Sequence, residues 1–241
     1  MANRLIAVGD IHGELDHLLE VMESVKPTDS DFIVFLGDYV DRGPKIVETL
    51  EYLMDFQKRF PSTVFLRGNH EAMLLDGWKF ILDGDPRAQL WITHNGGKET
   101  VEQINATGLG FGRYVHWVYH NTEICKVVET EAKTYYFSHA GWDIYRGLKE
   151  QAEEPDETIL LWSRRHLEGS AHAMKKNWIP DGIAVFGHTP MLKPFVSKWG
   201  IGLDTGAVFN SDSVGCYLTA AELPLEPGQE IVFHHSHKRQ Q

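Results

Sequence analysis

GDYVDRG, residues 37–43, follows the apolar run DFIVFL, and its reading decides the fold. Asp38, Asp41 and Arg42 stand where a buried strand opens into a loop, the place where α/β proteins usually carry their chemistry. Alone, the stretch is an Asp-rich turn tightened by glycines, and solvated turns of that kind are common. The same grammar, an apolar strand and then Gly with Asp, Asn or His, recurs in GDIHG (9–13), GNHE (68–71), SHAG (138–141) and FGHT (186–189). Five such loops in one chain ask for a common explanation.

Outward from this stretch, the first seventy residues alternate strand and helix. Arg4–Val8 reads as a buried strand, and Leu15, Leu18, Leu19, Met22 and Val25 follow a helical spacing that Pro27 ends. Asp31–Leu36 is a second strand. Pro44 suits the first turn of a helix carrying Ile46, Val47, Leu50, Leu53, Met54 and Phe56, and Thr63–Leu66 is a third strand. This alternation implies right-handed crossovers and a parallel sheet. Residues 72–121 read as a helical insertion beside the sheet, with helices over Ala72–Leu82, from Asp85-Pro86, and over Lys98–Ile104, broken at Asn95-Gly96-Gly97. Trp78, Phe80 and Trp91 read as core, although Trp91, His94 and Arg113 are also lid-like candidates within the insertion. Beyond residue 121 the pattern turns to β. Glu123–Val128 and Thr134–Phe137 form a hairpin, followed by Ile183–Phe186. Pro194–Val196, Ile201–Leu203, Gly215–Thr219 and Ile231–Phe233 are expected in a second sheet. Residues 234–241, HHSHKRQQ, resemble a metal-binding tract in composition, but a frayed, solvated tail is the expectation. No repeat or linker divides the chain, so one domain over 1–241 is expected.

With 241 residues, 42% of them hydrophobic, the chain can bury a full core. A formal net charge of −11 argues against a nucleic-acid or anionic-membrane binder, though not against a small, locally positive site. Cys125 and Cys216, each in an apolar run, read as buried thiols of a reducing compartment. No apolar segment approaches membrane-spanning length and the first residues lack a signal-peptide layout, so a cytoplasmic protein is expected.

If the five loops converge on one rim, they supply the carboxylates of Asp10 and Asp38, the imidazoles of His12, His139 and His188, and the amide oxygen of Asn69. Such a nitrogen-and-oxygen set, without thiolate, suits Mn, Fe or Zn at a working site more than a structural zinc. The donors suffice for two divalent ions if one carboxylate bridges them. A two-metal pair is a known clamp for in-line displacement at phosphorus, and can hold a water as hydroxide near neutral pH.

GDIHG, GDYVDRG, GNHE, HAG and GHT, in this order from Asp10 to about Gly206, resemble the signature of the phosphoprotein-phosphatase family of calcineurin-like metallophosphoesterases. The resemblance implies an α/β fold, an αββα sandwich. It also implies hydrolysis of phosphomonoesters, above all phosphoserine and phosphothreonine in proteins, by direct attack of a metal-bound hydroxide. By the same resemblance, Asp10 and His12 hold one metal, Asp38 bridges, and Asn69, His139 and His188 complete the second. His70 is the general acid, oriented by Asp41. Arg42, Arg67 and a later arginine, Arg164 in preference to Arg165, grip the phosphoryl oxygens. Asp204, in GLDTGA, either supports a ligand or caps a turn. Glu14 replaces the Gln usual in the eukaryotic enzymes, and their tyrosine-bearing C-terminal loop is not recognisable, so the chain resembles the short bacterial and phage type.

Each histidine taken singly is more often a satisfied polar side chain than a ligand. The joint pattern reverses this for His12, His70, His139 and His188, and not for His17, His94, His116, His120, His166 or His172, among which His94 is the outside candidate for a substrate contact. A symmetrical dinucleoside tetraphosphate hydrolase is the competing reading within the fold. That branch carries a small residue at the position of Asp41 and Asp at that of Glu71. A non-catalytic scaffold is the competing reading outside catalysis, but it need not retain every ligand and the acid, as this chain does.

Overall fold

The structure, a computed structural model, describes residues 2–81, 86–168 and 171–238. Eleven strands among these residues form two sheets. In the first, β1 (Arg4–Val8), β2 (Asp31–Phe35), β3 (Val64–Leu66) and β4 (Thr122–Glu123) run parallel. In the second, β5 (Cys125–Glu129) pairs antiparallel with β6 (Thr134–Ser138), which runs parallel to β7 (Ile183–Phe186). Beyond β7 lie β9 (Gly200–Gly202), also parallel, and β8 (Phe195–Val196) at the edge. The last two strands return to the first sheet: β10 (Thr219–Leu223) lies antiparallel against β1, and β11 (Val232–His235) against β10.

The inner strands β1, β2, β3 and β7 carry apolar runs because both of their faces are covered. Leu5, Ala7, Val34, Leu36 and Leu66 of the first sheet meet Tyr135, Phe137, Val185, Ile201 and Leu203 of the second in one buried layer. The alternate residues Ile6, Val8, Ile33, Phe35 and Phe65 face α1 (Leu15–Val25) and α2 (Ile46–Arg59). On this side also lie the inserted helices α3 (Asn69–Gly77), α4 (Pro86–His94), α5 (Gly97–Thr107) and α6 (Gly112–Asn121). Tyr136, Ala184 and Phe186 of the second sheet face the layer made by α7 (Leu148–Glu153), α8 (Glu157–Trp162), α9 (Arg165–Glu168) and α10 (Ala171–Asn177). The result is an αββα sandwich. Each fully buried Leu, Val, Ile or Phe side chain contributes about 1.5–3 kcal/mol to holding these layers together.

Local rules account for most element ends. In α1, Leu18, Val21, Met22 and Val25 form the buried stripe, and Lys26 closes the helix in a left-handed conformation with its N–H on Met22 O. Helix α3 begins at Asn69, three residues before the expected Ala72, and gives way to a 3₁₀ turn over Trp78–Phe80; Leu82 and Asp85 lie outside the described residues.

The C-terminal third corrects three expectations. The strand expected over Gly215–Thr219 instead starts at Thr219, because Cys216 adopts a left-handed backbone (φ 58°) that an extended strand cannot contain. That strand and the one expected over Ile231–Phe233 belong to the first sheet, since the free edge of β1 accepts them. Third, 234–241 does not begin as a frayed tail. His234 and His235 are paired residues of β11, opposite Ala220 and Thr219, and the buried Ser236 hydroxyl meets His17 Nδ1 at 2.7 Å. Residues 239–241 lie outside the described chain. Both cysteines are free, but only Cys216 is buried; Cys125 is half-buried.

Candidate metal centre and active site

The parallel strands β1, β2 and β3 of one sheet and β6, β7 and β9 of the other all deliver their C-terminal loops to a single rim. The turns are tight enough that five non-glycine residues there, His12, Asp38, Asp41, Arg42 and His188, sit at positive φ (48–72°). Strained backbone of this sort persists where the surrounding structure holds it. Part of that holding falls to Glu71. Its buried carboxylate accepts from the amides of Asp38 (2.8 Å), Tyr39 (2.8 Å), Val40 (3.2 Å) and Gly68 (2.9 Å), tying the GDYVDRG loop to GNHE. Burial and the nearby Asp38 raise this carboxyl, while the amide donors pull it down.

Asp38 lies at the centre. His12, Asp38 and His70 offer potential ligand atoms all within 4.8 Å of one another, and so do Asp38, His139 and His188. Asp38 Oδ2 is 3.4 Å from His12 Nε2, and Oδ1 is 3.4 Å from His139 Nε2. Burial would raise the Asp38 carboxyl, but His139 and His70 outweigh it and hold it well below the usual range. Asn69 Oδ1 is 2.9 Å from both His139 Nε2 and His188 Nδ1. Asp10 joins from β1, its Oδ2 accepting from the amide of His188 at 2.9 Å.

The chemistry of this set fits a cation. His139 Nδ1 donates to Leu36 O (2.9 Å), so the neutral ring aims its Nε2 lone pair at the oxygens of Asp38 and Asn69, whereas His12, whose Nδ1 donates to Val40 O (2.7 Å), accepts from Arg42 Nη1 at Nε2 (2.7 Å). Lone pairs facing lone pairs need positive charge between them. A proton on His139 is one answer: burial lowers this group, yet Asp38 more than offsets that and raises it. A divalent ion is the other. Asp10 Oδ1 is buried without a hydrogen-bond partner, as a carboxylate oxygen facing a cation would be, and His188 turns Nδ1 towards Asn69 Oδ1 and His139 Nε2. Burial and the neighbouring Asp204 and Asp38 push the Asp10 carboxyl well up, and burial with His139 pushes His188 down to about 2. The neutral imidazole is the metal-binding form.

His70 stands apart. Its Nδ1 is 2.6 Å from Asp41 Oδ2 and its Nε2 is 4.0 Å from Asp38 Oδ2, so the ring spans the two carboxylates, and its own amide donates to Asp38 Oδ1 at 3.0 Å. Geometry alone admits His70 as a ligand. The Nδ1–Asp41 bond fixes the ring, as a carboxylate partner does for a metal ligand and for an acid–base group alike. Burial lowers its pKa against the pull of Asp38 and Asp41.

A cavity of about 200 Å³ opens on these groups, lined by His12, Asp38, Asn69, His70 and His188 together with Arg42, Arg164, Asp204, Asn95, Trp162, Pro190 and Phe209. Arg42 Nη1 is 2.7 Å from His12 Nε2 and its guanidinium lies 5.8 Å over the Phe209 ring. Arg164 lines the cavity and Arg165 does not. Arg67 is also outside the lining: it is half-buried, with Nε donating to Thr122 Oγ1 at 3.1 Å. Of the two roles expected of Asp204 the structure has the turn cap, on Gly206 N at 2.9 Å, and the residue also lines the cavity. The lid-like roles are corrected. Trp91 is buried, His94 is exposed and away from the cavity, and Arg113 reaches back to Glu51 on α2 at 2.6 Å. Sequence reasoning missed Asn95, Trp162, Pro190 and Phe209. The Asn-Gly-Gly break and the Trp-Ser before Arg164 were the signals for the first two.

The family model for calcineurin-like phosphoesterases matches residues 3–234, and the chain belongs to this family. Among curated relatives, the PP2A-like serine/threonine-protein phosphatase PPG1 of Candida albicans is 49% identical over 67 residues, 27% of this chain and 16% of that protein. The serine/threonine-protein phosphatase PP1-delta of Caenorhabditis elegans is 45% identical over 70 residues, 28% of this chain and 23% of the relative. The chain thus spans less than a quarter of these relatives' length. Among solved structures, a candidate diadenosine tetraphosphatase superposes with a TM-score of 0.62 at 21% identity, covering 98% of this chain and 96% of that one. A protein serine/threonine phosphatase from Saccharomyces cerevisiae gives 0.62 at 12% identity, covering 99% and 81%. At such identities the superpositions speak for the fold alone.

Proposed function

We propose that this chain is a dimetal phosphatase that hydrolyses phosphomonoesters, with phosphoserine and phosphothreonine in proteins as the main substrate class. The observation that carries the reading is Asp38, shared between two groups of potential ligands, with the Asp41–His70 pair and two arginines on the same cavity. Asp10, His12 and Asp38 would hold one divalent ion, and Asp38, Asn69, His139 and His188 the other. The ions would supply charge neutralisation at phosphorus and an activated water.

The chain's own residues do the rest. Arg42 and Arg164, both exposed at the cavity, present paired N–H donors to a tetrahedral dianion. We leave Arg67 a supporting place, since it stands outside the lining. His70 delivers the proton of Nε2 to the leaving oxygen while Asp41 holds Nδ1, stabilising the imidazolium and fixing the ring. Mn²⁺ is the proposed ion, ahead of Fe or Zn, because an all nitrogen-and-oxygen set with room for water suits it. The acidic balance speaks against nucleic acid as a partner. Free thiols, and the absence among the described residues of a helix able to cross a membrane, fit a cytoplasmic location.

The Asp41–His70 pair favours an alkyl leaving group, which needs an acid, over a nucleotide, which leaves readily unassisted. The test is kcat/KM for phosphoseryl or phosphothreonyl peptides against diadenosine tetraphosphate, with metal-free protein reconstituted in turn with Mn²⁺ and Zn²⁺. Higher values on the peptides, and with Mn²⁺, are expected. A tenfold preference for the tetraphosphate, about 1.4 kcal/mol in transition-state binding, would move the chain to the dinucleotide reading. Activity with Zn²⁺ but not Mn²⁺ would overturn the metal.

A further inference from the structure

Asp41 is fully buried and receives more than the His70 contact. Trp91 Nε1, from α4, donates to its Oδ2 at 2.7 Å. The Thr100 hydroxyl, from α5, accepts from the amide of Asp41 at 3.0 Å and donates to Asp41 Oδ1. The direction of that second bond is settled by the first: a hydroxyl that accepts from the amide has its own proton free for the carboxylate. Three donors therefore converge on two oxygens, and the carboxylate has no freedom to rotate away from His70.

The donors are themselves immobilised. A Cβ on Gly77 would lie 2.6 Å from Trp91 Cε3, and one on Gly97 would lie 2.5 Å from Cε2, so the indole is wedged between two glycines that leave it no slack. The same inserted helices grip the rest of the loop. Gly96 O accepts from Arg42 N at 3.1 Å, Gln103 Nε2 donates to Gly43 O at 3.0 Å, and Gln103 Oε1 accepts from Ile46 N at 2.6 Å.

We propose that Trp91 and Thr100, both supplied by the helical insertion, are positioning residues for the Asp41–His70 pair. The insertion is then a clamp on the catalytic loop and not a lid over it. The proposal rests on the reading of His70 as the general acid. In chemical terms, the two donors hold Asp41 as a pure acceptor. The proton on His70 Nδ1 stays there, and Nε2 keeps its aim at the cavity during transfer to the leaving oxygen.

The experiment uses the full chain loaded with Mn²⁺ and a leaving-group series running from p-nitrophenyl phosphate through phenyl phosphate to a phosphoseryl peptide. Thr100→Val and Trp91→Phe are each expected to lose about tenfold in kcat on the phosphoseryl peptide, the scale of a lost orienting partner, and much less on p-nitrophenyl phosphate. Thr100→Ser, which keeps the hydroxyl, is expected to restore the wild-type slope. In an Asp41→Asn background, Thr100→Val should add little, because the two act on one bond. Metal content and Tm of each variant guard against general damage. A variant that folds poorly is replaced by Gly97→Ala, which presses on the indole without touching Asp41. Losses that are equal across the series, or that add fully to Asp41→Asn, would overturn the proposal. If His70→Asn and Asp41→Asn depend on the leaving group but Thr100→Val and Trp91→Phe do not, the general acid stands and the clamp falls. If none of the four does, both fall.

Discussion

The two outer helical layers reach the site in different ways. On the first sheet, the insertion meets the GDYVDRG loop with side-chain and backbone bonds from Trp91, Gly96, Thr100 and Gln103, all within or next to buried groups. On the second sheet, the opposite layer contributes Trp162 and the exposed Arg164 to the cavity wall, and Arg164 donates a long, 3.4 Å bond to His188 O. One layer over-determines the position of the proposed proton donor; the other offers a cation at the cavity wall for the proposed phosphate contact. Proton transfer needs fixed geometry, whereas a guanidinium meeting a phosphate gains from reach.

That contrast can be broken in order of expected effect. Both layers depend on the centre between them, so Asp38→Asn should cost most. Bound metal should fall below two ions per chain, and kcat should drop by about 10³-fold or more, as when the main electrostatic support of a transition state goes. Elemental analysis beside turnover tests this, and two retained ions with near-normal rate would remove Asp38 from its bridging place. Next comes the insertion side. His70→Asn should lower kcat by about 10²–10⁴-fold on a phosphoseryl peptide and far less on p-nitrophenyl phosphate. A flat response to the leaving group would take the acid role from it.

The second-sheet side should respond in KM. Arg164→Ala is expected to raise KM about 10- to 100-fold, the loss of one or two charge-assisted bonds, while Arg165→Ala leaves it close to wild type. Equal effects would show that the cavity lining misassigns the grip. An effect of a different kind lies deeper in that layer and concerns stability, not turnover. His166 is buried against Phe186, Trp178 and Trp199, with neither ring nitrogen hydrogen-bonded among the described residues, and burial pushes it down to about 4. Its folded pKa lies below the unfolded value near 6.5, so the unfolded chain takes the proton first. Stability is intact above about pH 6.5 and falls as pH drops towards 4, by about 3 kcal/mol in all. His166→Leu should flatten this part of the acid slope in thermal unfolding between pH 7 and 4. An unchanged slope would show that other groups carry it.

Much of the fold could be read locally. Arg4–Val8, Leu15–Val25 and Ile183–Phe186 have the bounds that periodicity and turn residues announce, because a strand buried on both faces must be apolar throughout and an amphipathic helix must repeat near 3.6. The loops that carry Asp10, His12, Asp38, Asn69, His70, His139 and His188 could be read for the same reason: each follows its strand within a few residues. The C-terminal strands were not. Whether Thr219–Leu223 joins one sheet or the other depends on which edge lies open, and His234 and His235 became strand because β10 offered them an edge. Composition sees neither.

By itself, then, the sequence determined which residues can bind metal and which strands present them, since turn chemistry and periodicity act over short spans. Tertiary structure alone decided what holds those residues still. Trp91 and Thr100 meet Asp41 across 50 and 59 positions of chain, and Ser236 meets His17 across 219. No local preference encodes such bonds. They exist because helices and strands that bury their apolar faces bring these polar groups together away from water, where each must find a protein partner.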